Sequence, residues 1–239
     1  MAKAKYKTIG ILGGMGPEAS ANLYWRMIKY TQDKYNAVQD TDYPPIIIYS
    51  LPLEGFDETG IVDKPLVKNQ LIDGIKKLNL AGADFIIVSC NTVHYFHDDM
   101  QKASQVPVFN IIKETRKKIE SLGYKKVGLF SSETTKKLGL YQNHFKQYGI
   151  EIVNVNKENQ SKLNQIIEHV MGGYQNQTDA DALNKIAEEL ADQGAESVVM
   201  GCTEIPLAIN QSQTKIKLLD TIEIITKAAV DYSIIQTEK

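Results

Sequence analysis

Short runs of apolar, mostly β-branched residues alternate along the chain with longer segments whose apolar positions recur every three to four residues. Such alternation predicts an α/β fold with parallel sheets covered by helices. Residues 8–13 read as a short buried strand. In the turn that follows, Gly14-Met15-Gly16-Pro17-Glu18, Pro17 suits the first helical position and Glu18 the positive end of a helix dipole. A helix is therefore expected through Tyr24, Trp25 and Ile28 to about residue 34. Beyond Tyr43-Pro44-Pro45 come a strand at 46–49, an acidic loop carrying Glu54, Asp57 and Glu58, and a helix at 65–80. Residues 85–88 are a strand, 92–103 a helix, 106–109 a short strand, and 111–122 a helix closed by Gly123.

The pattern then begins again. Residues 126–131 repeat the first strand, and Ser132-Glu133-Thr134-Thr135 opens a helix to about residue 148. A strand at 150–155, helices at 160–171 and 180–193, strands at 197–200 and 218–219, and an amphipathic helix at 221–235 complete the chain. The repeat is clearest around the only two cysteines. Phe85-Ile86-Ile87-Val88-Ser89-Cys90 and Ser197-Val198-Val199-Met200-Gly201-Cys202 each read as a fully buried parallel strand with a thiol at its carboxyl end. Each is introduced alike, by Ala81-Gly82-Ala83-Asp84 and Gln193-Gly194-Ala195-Glu196. The division expected is a first α/β domain of residues 1–113 with 218–239, carrying Cys90, and a second of 114–217, carrying Cys202.

Composition narrows the function classes. A formal net charge of −2 supplies no basic field for nucleic acid and no polybasic patch for anionic lipid. No run of about 18 apolar residues offers a membrane span, and the apolar run behind the basic start is too short for a secretory signal, so a cytoplasmic protein is expected. Two cysteines make no disulfide framework and would remain thiols in a reducing compartment.

Parallel α/β sheets bind ligands beyond the carboxyl ends of their strands, where both cysteines lie. Facing halves related by a pseudo-twofold axis would bring the thiols to a shared cleft from opposite sides. Acid/base groups on opposite faces of one small molecule suit removal of a proton from a stereogenic carbon and its return from the other side. A thiol, with an ordinary pKa near 8.5, needs only a modest downward shift to act as the base, and helix N-termini after each cysteine are expected to supply part of it. No cofactor or metal is needed for that chemistry.

Three motifs in order, Ile9-Gly10-Ile11-Leu12-Gly13-Gly14-Met15-Gly16-Pro17-Glu18-Ala19, Cys90-Asn91-Thr92-Val93-His94 and Gly201-Cys202-Thr203-Glu204-Ile205-Pro206-Leu207, resemble the cofactor-independent aspartate/glutamate racemase family over nearly the whole chain. The resemblance implies two Rossmann-like α/β domains with the active site between them, an amino-acid racemase acting on aspartate or glutamate, and a homodimer. It implies Cys90 and Cys202 as the two bases, with Met15, Asn91, Thr92, Ser132, Thr135 and Thr203 about the substrate; Glu204, two residues beyond Cys202, is placed to bind the substrate ammonium, to tune the thiol or to favour a helix N-terminus. The chain departs from the aspartate-selective pattern in two places. An arginine after the second strand is replaced by the acidic loop of Glu54, Asp57 and Glu58, and a lysine region of the second half reads Val170-Met171-Gly172-Gly173. The only arginines, Arg26 and Arg116, fall on helices.

Other readings compete. Gly14-Met15-Gly16-Pro17-Glu18-Ala19 matches a dinucleotide-binding G-x-G-x-x-A fingerprint, against which Pro17 lacks an N–H and Glu18 brings negative charge. A non-catalytic metabolite-binding protein, or a metal-binding one using Cys90, Cys202 and His94, is a further alternative without short-range ligand spacing. Related cysteine-dependent isomerases and decarboxylases share such sites. His94, one helical turn beyond Cys90, is either a partner of that thiol or a satisfied helix residue. His97, His144 and His169 read as surface or helix residues.

Overall fold

The computed structural model describes residues 6–57 and 60–234, so Glu58 and the expected helix end at 235 lie outside the described residues. The first half contains β1 (Ile9–Gly13), α1 (Pro17–Tyr35), β2 (Ile46–Ser50), β3 (Phe56–Asp57), β4 (Gly60–Ile61), α2 (Lys64–Leu80), β5 (Phe85–Val88), α3 (His97–Ala103) and α4 (Ile111–Ser121). The second contains β6 (Lys126–Phe130), α5 (Glu133–Lys137), α6 (Leu140–Lys146), β7 (Glu151–Asn154), α7 (Lys157–Met171), α8 (Gln177–Asp192), β8 (Ser197–Met200), α9 (Ile205–Ala208), β9 (Lys217–Asp220) and α10 (Thr221–Ser233).

The expected α/β architecture is present as two parallel sheets, ordered β2-β1-β5 and β7-β6-β8-β9. A parallel bridge from Ile86 to Val108 stands where β9 stands beside β8, so the two halves share one strand order. Only this bridge forms at 106–109, where the sequence predicts a strand, because Pro107 contributes a carbonyl to Ile86 but has no N–H for a ladder. Strand β9 extends the second sheet, although the sequence division assigns residues 218–220 to the first half.

Two predicted helices are interrupted. Residues 92–96 after Cys90 are a 3₁₀ turn that leads into α3. The helix expected to run from 132 to 148 breaks into α5 and α6 at Gly139, whose left-handed φ of 62° ends one helix and starts the next. The small antiparallel hairpin β3–β4 has no period the sequence could reveal, since each strand is two residues long.

One apolar cluster runs through both halves. Ile9, Ile11, Leu23 and Met27 pack in it with Val127, Leu129, Tyr141, Phe145 and Val199, and Ile222, Ile225, Ala229 and Val230 of α10 close it. Fully buried side chains of this size each contribute about 1.5–3 kcal/mol over exposure. Helix α10 packs on α1 and α4, so the end of the chain is tied to its beginning. Asp220 caps α10 by accepting the Ile222 and Glu223 amides, and it pairs with Arg26 of α1 at 2.7 Å.

Candidate active site

Cys90 and Cys202 stand two residues beyond the ends of the equivalent strands β5 and β8. Both are free thiols. They line one cavity of about 160 Å³, together with the Gly14–Pro17 turn, Leu53, the β3–β4 hairpin, Asn91, Thr92, Ser132, Ile167, Met171, Thr203 and Glu204. The walls therefore come from both halves of the chain.

Glu204 ties the second thiol to the first half. Its Oε2 accepts from Cys202 Sγ at 3.0 Å and from Thr203 Oγ1 at 2.9 Å, while its Oε1 accepts the Gly16 N–H at 3.4 Å. The Gly14 N–H is taken by Ser20 Oγ at 2.9 Å, and Ser20 in turn meets Ser89 Oγ at 2.8 Å, just before Cys90. Both glycine amides of the turn are thus engaged, and a carboxylate faces one of them. This removes the anion cradle that the dinucleotide reading requires.

His94 fastens the other thiol's backbone. Its Nδ1 lies 2.7 Å from the Cys90 carbonyl oxygen, and its Nε2 accepts the Ile111 N–H at 3.2 Å. An acceptor at Nε2 and a proton on Nδ1 describe a neutral ring. Burial first, then the neighbouring His97, lowers its pKa to about 4. With both nitrogens committed to backbone, His94 is a satisfied positioning residue, which also removes it from the metal-binding alternative.

The sequence expectation for the thiols is corrected. Backbone N–H groups of Val93 and Thr92 do favour the Cys90 thiolate, but burial outweighs them, and with the Glu204 charge pushes the thiol up to about 12. Cys202 is held well above its ordinary value, by burial and then by Glu204. The segments after the two cysteines are a 3₁₀ turn and a four-residue helix, too short for a strong dipole.

The other expected residues divide between wall and support. Met15, Asn91, Thr92, Ser132, Thr203 and Glu204 line the cavity. Thr135 is fully buried behind it, where its hydroxyl bonds Thr92 Oγ1 at 2.8 Å and Ser132 Oγ at 3.2 Å and so joins the halves. The Asn91 carboxamide is held by Tyr141 and by Thr221. Ser89, Tyr141 and Thr221 carry no motif signal, since each acts on a partner distant in sequence; Ser20 acts both on Gly14, six residues before it, and on Ser89. Arg26 is spent on Asp220, and Arg116 on Glu120 and the Tyr148 ring.

Equivalent strands thus deliver one free thiol each to a cavity shared by the two lobes of an α/β protein. Comparison with known proteins makes the assignment specific. The chain belongs to the Asp/Glu/hydantoin racemase family, whose profile matches residues 12–229. It is 32% identical over 222 residues to the broad specificity amino-acid racemase RacX of Bacillus subtilis (strain 168), covering 93% of this chain and 96% of that protein. The crystal structure of an aspartate racemase homologue from Pyrococcus horikoshii OT3 superposes with a TM-score of 0.80 at 32% identity, covering 94% of this chain and 98% of the other. The aspartate racemase of Picrophilus torridus shares the fold, with a TM-score of 0.79 at 24% identity over 94% of this chain and 93% of its own. The family and the fold class expected from the motifs are those found.

Proposed function

We propose that the protein is a cofactor-independent amino-acid racemase in which Cys90 and Cys202 exchange the α-proton from opposite faces of the substrate. The observation that carries this reading is the pair of free thiols, at equivalent strand ends, in one cavity. One thiolate takes the α-hydrogen and leaves a planar carbanion; the opposite thiol gives up its own proton, so the configuration inverts and the protonation of the pair is exchanged. A buried thiolate requires a counter-charge, which the substrate ammonium supplies on binding. Glu204, 3.0 Å from Cys202, is placed to receive that thiol's proton when Cys202 acts as base. The Thr203 hydroxyl proton is committed to Glu204 and that of Ser132 to Thr135, so Thr92, which can accept from Thr135 and keep its own proton free, is the hydroxyl donor for the α-carboxylate.

Reduced thiols fit a cytoplasmic setting. The family resemblance favours a homodimer, and exposed Trp25 and Tyr24 of α1 with Ile48 of the edge strand β2 offer apolar surface for it. Light scattering tests the dimer.

The function is tested by α-proton exchange in heavy water, followed by proton NMR on both enantiomers of a panel of amino acids. Wild type exchanges and inverts its substrate; Cys90→Ala and Cys202→Ala each abolish net inversion. Inversion that survives either substitution refutes the two-thiol reading.

A further inference from the structure

The cavity differs chemically from its depth to its rim. Cys90, Asn91 and Thr203 are buried at 5%, 2% and 4% exposure, whereas Met171 is 54% exposed and Asp57 is exposed on the hairpin. The reacting carbon belongs with the thiols, so a substrate side chain is left to the remaining walls of the cavity, which Leu53, Phe56, Ile167, Met171 and Asp57 line. The first four make an apolar sleeve. Beside it the Asp57 carboxylate is seated by the hairpin, its Oδ1 accepting the Gly60 N–H at 3.2 Å.

The charges on these walls have one sign. Among the described lining residues the carboxylates are Asp57 and Glu204, and none is lysine, arginine or histidine. A second substrate carboxylate would be desolvated along the sleeve and repelled at the rim. A methylene stem that carries a cation avoids both costs.

Resting on the reading of this cavity as a racemisation site, we propose that its preferred substrate has an unbranched aliphatic side chain ending in a cation, of the lysine or ornithine type, with Asp57 selecting the charge. Lysine and norleucine share the stem and differ by the ammonium group, so their ratio of kcat/KM isolates what Asp57 does. Because Asp57 is exposed, its pull is screened and moderate.

The test measures kcat/KM for inversion of L-lysine, L-norleucine and L-glutamate by the full-length enzyme. Lysine is expected to exceed glutamate by at least about tenfold, a preference that narrows as salt is added. Asp57→Asn is expected to lower the lysine-to-norleucine ratio about five- to tenfold, and Asp57→Glu to restore it. Asp57→Lys is expected to raise glutamate relative to lysine. Preference for glutamate over lysine, or a lysine-to-norleucine ratio that Asp57→Asn leaves unmoved, overturns the inference while racemisation stands. Absence of exchange with every amino acid of the wider panel overturns the racemase reading, and this inference with it.

Discussion

The Cys202 thiol donates to Glu204 Oε2 across 3.0 Å, while the other oxygen of the same carboxylate accepts the Gly16 amide of the opposite half. One side chain therefore adds to the proton affinity that burial gives the thiol and ties it to the glycine turn. Burial first, and then Glu204, raises the pKa of Cys202, and the Glu204 charge adds more weakly to burial at Cys90. Glu204→Gln removes the negative charge and so lowers both thiol pKa values. The pH profile of carboxamidomethylation at Cys202, read by mass spectrometry, is expected to move to lower pH by about one unit, while turnover falls because Gln cannot take the proton.

His94 links stability to pH. Its folded pKa of about 4 lies below the ordinary value near 6.5, so the unfolded chain binds the proton first as pH falls. The stabilisation is complete above pH 6.5 and is lost progressively down to about pH 4, by about 3 kcal/mol in all. His94→Leu strips partners from the Cys90 carbonyl and the Ile111 amide and is expected to cost about 2–4 kcal/mol at pH 7.5. The same variant should flatten the pH dependence of the urea midpoint between pH 7 and 5; an unchanged slope would sink the assignment.

Gly60 is where the hairpin meets α5. A Cβ there would lie 1.9 Å from Thr134 Oγ1, and its φ of 113° is unfavourable for any L side chain. Gly60→Ala is expected to push the hairpin off its seat and lower kcat/KM about tenfold or more, with the melting temperature little changed. Adding Thr134→Gly should return part of the loss, since it removes the Oγ1 at 1.9 Å and the Cβ and Cγ2 at 2.5 Å but leaves the backbone strain.

Arg26 and Asp220 bind α1 to the start of α10. Arg26→Met leaves a buried carboxylate without its cation and is expected to cost about 2–3 kcal/mol in urea unfolding. Combining it with Asp220→Asn should recover most of that, because asparagine retains the helix cap without the charge.

Local sequence foretold the elements that are locally determined. The twin strands of Phe85–Val88 and Ser197–Met200 were legible because a buried parallel strand is a continuous apolar run, and the thiols were legible because they end those runs. Helix boundaries held where a cap is local, as at Asp220, and failed at 132–148, where one backbone position breaks the run. The thiol pKa values moved opposite to expectation because a following helix is visible in sequence, while burial and a carboxylate's position depend on the assembled cavity. His94 could be placed near Cys90 but not given its role, since the deciding partner is the Ile111 amide, set by the fold. The sleeve of Leu53, Phe56, Ile167 and Met171 joins residues more than 100 positions apart and left no motif.

The apolar cluster that unites Ile9, Ile11 and Met27 with Leu129, Tyr141 and Val199 acts as a rivet between the lobes. Each lobe also keeps a core of its own, Leu71, Ile75 and Ile86 in the first and Leu163, Leu183 and Val198 in the second, but either would expose its share of the common cluster if synthesised alone, and thermal unfolding is expected as one cooperative step. Tyr141 belongs to this cluster and also holds Asn91, the residue next to Cys90. The spacing between the two thiols is therefore inherited from hydrophobic packing beneath the cavity, and a methyl group removed from that interior should be felt as a change in the rate of proton transfer above it.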